Sequence, residues 1–262
     1  MRIEPITMAI ESEAGTAQRT FAVGSVGGAR HSARNVDAAR RELDERIALE
    51  GRYSDANLTN PSIFRIGRYL LTQDPEFEVQ GSLTGGEGEV IAIRDRDDIF
   101  ISVGSDQCDR ELGPLFADKP KQMCPHPIAT VAWPYDEVRD HWDQLQVCSE
   151  VVVGEHRVAL QESALSALVD LEYLLAMDAV RALPDPMFLY CGTSAFLNVQ
   201  ETIERLGLPE MTAHGVGDEF RVRLHDPAMK RTIEHRFQPV PLSDDVEERR
   251  GRPGAAPHHL NF

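Results

Sequence analysis

Cysteine is scarce and scattered in this chain: Cys108, Cys124, Cys148 and Cys191 are the only four in 262 residues, and no two form a C-x-x-C pair. That spacing argues against a zinc knuckle and fits reduced, mostly buried thiols. Basic residues are also few. Lys and Arg number 27 against 43 Asp and Glu, a formal net charge of −16. Such a surface argues against nucleic acid and against an anionic membrane face, which both attract basic patches. No apolar run reaches the roughly 18 residues that suggest a membrane span. The longest apolar segment, Ala164 to Ala182, is interrupted by Asp170, Glu172, Asp178 and Arg181. The opening residues Met1-Arg2-Ile3-Glu4-Pro5 lack the basic and apolar regions of a secretory signal. The expectation is an acidic cytoplasmic protein. Gly85-Gly86-Glu87-Gly88 is no phosphate loop, because no Lys-Ser/Thr follows it. Gly192-Thr193-Ser194 is no nucleophile elbow, because Gly-x-Ser-x-Gly is missing.

What is present is a series of short apolar runs. One domain over 1–242 accommodates them, with two strands and a lid-like helix in 1–55 and a polar, Gly/Pro-rich tail at 243–262. Segments 1–12 and 18–26 read as strands, and Gly-Ser-Val-Gly-Gly at 24–28 as a turn or loop. Residues 36–50 read as an amphipathic helix, with Leu43 and Ile47 four apart. An extended segment at 63–66 and an Asp74-Pro75 turn follow. Strands at 87–94 and 98–104 flank a charged hairpin tip at 94–98. Residues 136–145 read as a helix with Val138, Trp142 and Leu145 on one face, Trp142 being core and His141 surface or packing. A weakly alternating segment at 151–160 turns at Gly154, and 161–181 gives the strongest helical pattern, ended by Pro184 and Pro186. Met187–Tyr190 reads as a short buried strand, 199–206 as a short helix, and 220–224 and 232–237 as late strands. Many short strands with few helices make the fold class α+β, mostly β, of mixed type.

The chemistry concentrates between residues 85 and 125. Glu87 and Glu89 are two apart, so in a strand they share a face. Two adjacent carboxylates repel unless a proton or cation lies between them. Asp106 ends the next apolar run, and if the two runs are neighbouring strands three oxygen ligands converge. That is the donor set of a hard cation such as Mg²⁺ or Mn²⁺. On spacing alone, a solvated glutamate pair at a Gly-rich turn and an aspartate that caps a loop stand as the alternative. Lys121 and Lys119 both lie near Cys124. Asp109 and Arg110 suit a local ion pair. His126, between two prolines, suits a structural role, and Cys124 and Cys191 suit buried packing.

The order of these motifs resembles the fumarylacetoacetate hydrolase superfamily: Glu-x-Glu in a strand, an Asp at a strand end, Lys before Cys-Pro, and Gly-Thr after a short apolar strand. In detail, Val103-Gly104-Ser105-Asp106-Gln107-Cys108-Asp109-Arg110, Lys121-Gln122-Met123-Cys124-Pro125, His141-Trp142-Asp143 and Cys191-Gly192-Thr193 resemble the family DUF2848, over about residues 20–242. The resemblance implies a twisted mixed β-roll with few helices, assembled as a homodimer. It implies Glu87, Glu89 and Asp106 as ligands of Mg²⁺ or Mn²⁺, Lys121 facing substrate oxygens as the catalytic residue, and Gly192 and Thr193 binding a substrate carboxylate. The implied reaction is C–C hydrolysis, decarboxylation or enol isomerisation of a small oxo-acid or 1,3-dicarbonyl acid. Hydrolases of the superfamily activate water with a His–Glu pair on an N-terminal lid. The region 36–50 offers Arg40, Arg41, Glu42 and Glu45 but no histidine, and His31 is a poor match. That favours decarboxylation or isomerisation. It also leaves two other readings open: a non-catalytic binding protein that keeps the fold, and a metal-free lyase or hydratase using Lys121 and His126.

Overall fold

The segment 88–105 forms the hairpin that its apolar runs predict. In the computed structural model, Gly88–Asp95 pairs antiparallel with Asp98–Ser105, from Asp95↔Asp98 to Gly88↔Ser105. Arg96 and Asp97 make a two-residue tip, and Arg96 takes φ +61°, the positive φ that tight hairpin loops require. Val90 and Ala92 enter one hydrophobic core, Ile91 and Ile93 another. The strand is therefore buried on both faces and reads as a continuous apolar run rather than an alternating one. Residues 3–37, 40–41, 61–113, 115–116 and 118–242 are described.

This hairpin lies at the centre of an eight-stranded mixed sheet. Its order is Gly15–Phe21, Ile6–Ser12, Val131–Pro134, Asp98–Ser105, Gly88–Asp95, Met187–Tyr190, Ser25–Arg30 and Ser62–Ile66. Ile6–Ser12 runs parallel to Val131–Pro134, and Met187–Tyr190 parallel to Ser25–Arg30; the other neighbours are antiparallel. One face packs on a five-stranded sheet ordered His156–Ala164, Gln146–Val153, Glu219–Asp226, Arg231–Pro241 and Glu76–Val79. Val90, Val103 and Trp133 meet Val147, Leu160, Phe220 and Val222 there. On the other face, Ile6 and Met8 near one edge, Phe64 and Ile66 at the other and Ile91 and Ile93 from the centre share a single cluster. A sheet whose two edges meet over its own centre is rolled. Phe21 closes that roll, edge-on to Phe100 and Phe188 with ring centroids 5.8 Å apart in each pair. The architecture is the mostly β, mixed roll with few helices expected from the motif order.

Three readings need correction. Residues 25–30 are strand, not loop, because Gly28 lies directly under the Phe64 ring, where a Cβ would come within 2.3 Å of Cζ. Residues 161–181 are not one helix. His156–Ala164 continues to pair as far as Gln146↔Ala164, a 3₁₀ turn follows, and two short helices, Leu171–Ala176 and Asp178–Arg181, complete the span. The 136–145 helix is one α turn, Tyr135–Val138, continued as 3₁₀ helix Arg139–Gln144, though Val138, Trp142 and Leu145 are buried as expected. His141 there hydrogen-bonds through Nε2 to buried Asp226, at 2.9 Å. Within the 36–50 helix only Val36, Asp37, Arg40 and Arg41 are described, and they are helical. The remainder of that span and the 243–262 tail lie outside the described residues. Among the described residues no helix is long and apolar enough to cross a membrane.

Candidate functional site

The hairpin end opposite its tip gathers the acids. Glu87 immediately precedes the first strand and Asp106 immediately follows the second, and the Asp106 N–H donates to the Glu87 carbonyl at 2.9 Å. Glu89 lies one pair inside, opposite Gly104. Oxygens of Glu87, Glu89 and Asp106 all fall within 4.8 Å of one another. Glu89 and Asp106 are buried, at 1% and 3% exposure.

Lys121, on the short helix Lys119–Gln122, is the lysine that faces them, at 5% exposure. Lys119 instead stacks on Phe116. Lys121 Nζ lies 2.8 Å from Glu87 Oε2, 2.8 Å from Asp106 Oδ2 and 2.9 Å from the Asp106 carbonyl. An ammonium has three hydrogens, so all three are used. Burial opposes the lysine's charge, but Asp106 and Glu87 outweigh it and hold the ammonium protonated well above its ordinary range. His126 sits under this helix. Its Nε2 lies 2.7 Å from the Lys121 carbonyl, which can only accept, so Nε2 carries a hydrogen and Nδ1 faces Asp106 Oδ1 at 3.3 Å.

Arg110 was expected to pair with Asp109 and does not. Its Nη1 grips Glu87 Oε1 at 2.6 Å, while Asp109 Oδ1 caps the N–H groups of Glu111 and Leu112. Nothing local in the sequence marks this choice; it follows from the tight turn that brings 110 back beside 86–87. Glu87 thus meets one cation on each oxygen. Burial pushes its pKa up, but Lys121 and Arg110 overcome that and hold it far below the carboxylate range.

Glu89 has no such partner. Its oxygens accept from the Gly192 N–H at 2.9 Å and approach the Thr193 hydroxyl at 2.5 Å. The turn that presents these groups needs glycine: Gly192 has φ +107°, and a Cβ would come within 1.6 Å of Ser32 Oγ. The same Thr193 hydroxyl lies 3.1 Å from Glu87 Oε2. A hydroxyl has one hydrogen, so it cannot donate to both. Both contacts are satisfied when Glu89 holds a proton, donates it to Thr193, and Thr193 donates to Glu87. Burial first, then the Asp106 charge, raise Glu89 well above the ordinary carboxylate range, in keeping with that chain. Burial pushes Asp106 up, but Lys121 and His126 together outweigh it and hold the carboxylate low.

The donor set fits a hard divalent cation. Three carboxylates meet two permanent cations, Lys121 and Arg110, so one negative charge lacks a partner. Buried Asp106 Oδ1 makes no hydrogen bond. Glu89 holds a proton where a cation would substitute for it.

The fold is of one class, that of the fumarylacetoacetate hydrolase-like rolls. The chain is similar to a protein described as a fumarylacetoacetate hydrolase family member from Yersinia pestis CO92, with 14% identity, a TM-score of 0.52 and coverage of 88% of this chain and 99% of that one. It is similar also to a 2-keto-3-deoxyarabinonate dehydratase, at 16% identity and TM-score 0.54, covering 85% and 77% of the two chains. A 5-carboxymethyl-2-hydroxymuconate delta-isomerase from Mycobacterium smegmatis aligns at 14% identity and TM-score 0.51, over 91% and 99%. Within that class, residues 29–237 match the model of DUF2848, a protein of unknown function, and the chain belongs to that family. No curated protein matches it in sequence.

Proposed function

We propose that the protein is a divalent-metal-dependent enzyme acting on a small oxo-acid or 1,3-dicarbonyl acid, with Glu87, Glu89 and Asp106 holding Mg²⁺ or Mn²⁺. The observation that carries this reading is the convergence of three carboxylates within 4.8 Å on a fold shared with a keto-acid dehydratase and a hydroxymuconate isomerase. A divalent ion held by Glu87, Glu89 and Asp106 would supply Lewis acidity toward a 2-oxo carbonyl and its enolate. By displacing the Glu89 proton, a bound ion would also tip the charge of the cluster from neutral to net positive, which suits an anionic substrate.

The side chains assign the remaining roles. Lys121 is the hydrogen-bond donor to a substrate oxygen, but its three N–H groups already have acceptors. Turning of Glu87 or Asp106 toward a cation frees one of them. Thr193 and the Gly192 N–H bind a substrate carboxylate once Glu89 has given up its proton and turned away. Decarboxylation or enol isomerisation is favoured over hydrolysis, since 36–50 contains no histidine to activate water. The active unit is proposed to be a cytoplasmic homodimer.

A second reading, a binding protein that keeps the fold, draws on a different observation. A cleft of about 390 Å³ lies away from the acids, lined by Tyr135, His141, Trp142 and Tyr173. Thermal melts of chelator-treated protein titrated with Mn²⁺ discriminate the two. Ligand at a hundred times its Kd stabilises a folded protein by about 2.7 kcal/mol. The expected outcome is a rise in midpoint for wild type that Glu89→Gln lacks. No rise in wild type removes the metal-enzyme reading and leaves the scaffold.

A further inference from the structure

Gln161 lies outside the acid cluster and is 1% exposed. Regular alternation would not turn both Leu160 and Gln161 inward. The strand solves this with a bulge: Ser149 pairs with Gln161 but Glu150 with Ala159, so Leu160 is the extra residue. Both Leu160 and Gln161 are consequently buried. Bulges re-aim side chains in this way, and they recur beside functional sites.

The re-aimed amide grips one residue, Gly88, which sits between Glu87 and Glu89. Gln161 Oε1 accepts from the Gly88 N–H at 2.8 Å, and Gln161 Nε2 donates to the Gly88 carbonyl at 3.2 Å. A Cβ on Gly88 would lie 2.9 Å from Val222 Cγ2 and 3.0 Å from Gln161 Oε1, so a side chain there would force its neighbours, the amide among them, to shift. Nε2 also reaches the Ser194 carbonyl at 3.3 Å and Ser194 Oγ at 3.2 Å, next to Thr193. The Ser149 hydroxyl, across the bulge, donates to Oε1 at 2.6 Å, and the Gly88 N–H and carbonyl, which can only donate and only accept, fix which end of the amide faces which partner.

We infer that Gln161 is a positioning residue for the metal site. It locks the peptide that spaces the two glutamates and ties it to the loop carrying Gly192 and Thr193, so that both halves of the Glu89 environment move as one. The inference rests on the metal reading of the cluster. It adds that affinity for the ion is set by a side chain that touches neither ion nor substrate. Loss of such outer partners typically weakens metal binding about 10–100-fold.

The test uses full-length Gln161→Leu, which keeps the volume and removes every hydrogen bond. Mn²⁺ affinity is measured by titration calorimetry, and amide hydrogen exchange is followed at 87–89 and 192–195 in chelated protein. A core variant away from the cluster, Leu145→Ala, serves as the control for general destabilisation. Expected are at least tenfold weaker Mn²⁺ binding than wild type, joint loss of protection in both segments, and near-normal affinity in the control. If Gln161→Leu fails to fold, Ser149→Ala, which loosens only the far side of the amide, should give a several-fold weakening. Wild-type Mn²⁺ affinity in the folded variant overturns the inference while leaving the metal reading intact. Absence of Mn²⁺ binding by wild type overturns the metal reading instead. Gln161 is then judged on exchange alone, and unchanged protection at 192–195 ends the claim that it couples the two segments.

Discussion

Glu87 and Glu89 are two residues apart on one strand end, share a hydroxyl neighbour in Thr193, and are held in opposite states. Glu87 has a guanidinium on one oxygen and an ammonium on the other. Glu89 has only a peptide N–H and a hydroxyl. The difference teaches which half of the site belongs to the fold and which half is available. The Glu87 half is a closed ion-pair network that pins Arg110 and Lys121. The Glu89 half is a buried carboxyl whose charge has no partner, which is the half a cation would complete.

The sharpest way to break this contrast is to make the same substitution at both positions. Glu87→Gln leaves half-buried Arg110 without a carboxylate and removes one of two from Lys121. Breaking a buried pair from one side costs about 3–5 kcal/mol. Glu89→Gln replaces a protonated carboxyl by a neutral isostere and should cost less than about 1 kcal/mol. Urea melts of chelated proteins measure both. Equal losses would mean that both glutamates are ionised alike.

Next in size is Lys121→Met. It leaves Glu87 with Arg110 and deprives Asp106 of the ammonium on its Oδ2, with an expected loss of about 3 kcal/mol without metal. Mn²⁺ should restore part of this, because the stranded carboxylates are its proposed ligands. A variant as destabilised with Mn²⁺ as without it would place the ion elsewhere.

Gly192→Ala should cost about 1–3 kcal/mol, since φ +107° disfavours a side chain and the new Cβ would collide with Ser32 Oγ. The loss should fall on the Glu89 half: weaker Mn²⁺ binding with Lys121 and Arg110 undisturbed. An unchanged midpoint by thermal melt would show that the turn relaxes freely.

These contrasts also mark what the sequence discloses. The 88–105 hairpin was legible because a doubly buried strand is a continuous apolar run and its tip is charged. Glu87, Glu89, Asp106, Lys121 and Thr193 were legible as a set through motif order, and the fold does bring them together. The grip of Arg110 on Glu87, the seat of His126 beneath Lys121, and the clamp of Gln161 on Gly88 were not. Each is a choice of partner made across 23, 5 and 73 positions that no local pattern encodes. Residues 161–181 misled for a related reason. Leu165, Leu168 and Leu171 recur at helical spacing, but the ladder to Gln146–Val153 holds the chain extended to Ala164 before any helix can start.

The finest test of the contrast is pH. Glu87 is held low, so its stabilising contribution is complete above the ordinary carboxylate range and is lost only in acid as pH falls through its depressed folded value. Between pH 5 and 7 it contributes a constant. Glu89 is held high, so between the ordinary carboxylate range and its raised folded value the unfolded chain has released the proton while the folded chain still binds it. The contribution of Glu89 to stability must then fall as pH rises from the ordinary carboxylate range toward the raised folded value, by at most about 1.4 kcal/mol per pH unit. His235, buried and held down at about 4, adds a rise with pH below the ordinary histidine range to both proteins, so the Glu89 slope is read as a difference: chelated wild type should lose stability relative to Glu89→Gln, which has no proton to lose, as pH rises. Mn²⁺ should reverse the slope in wild type, because binding displaces the proton and strengthens as pH rises. A chelated wild type whose stability rises with pH over this interval, in parallel with Glu89→Gln, would mean that Glu89 is already ionised and that the two glutamates do not differ.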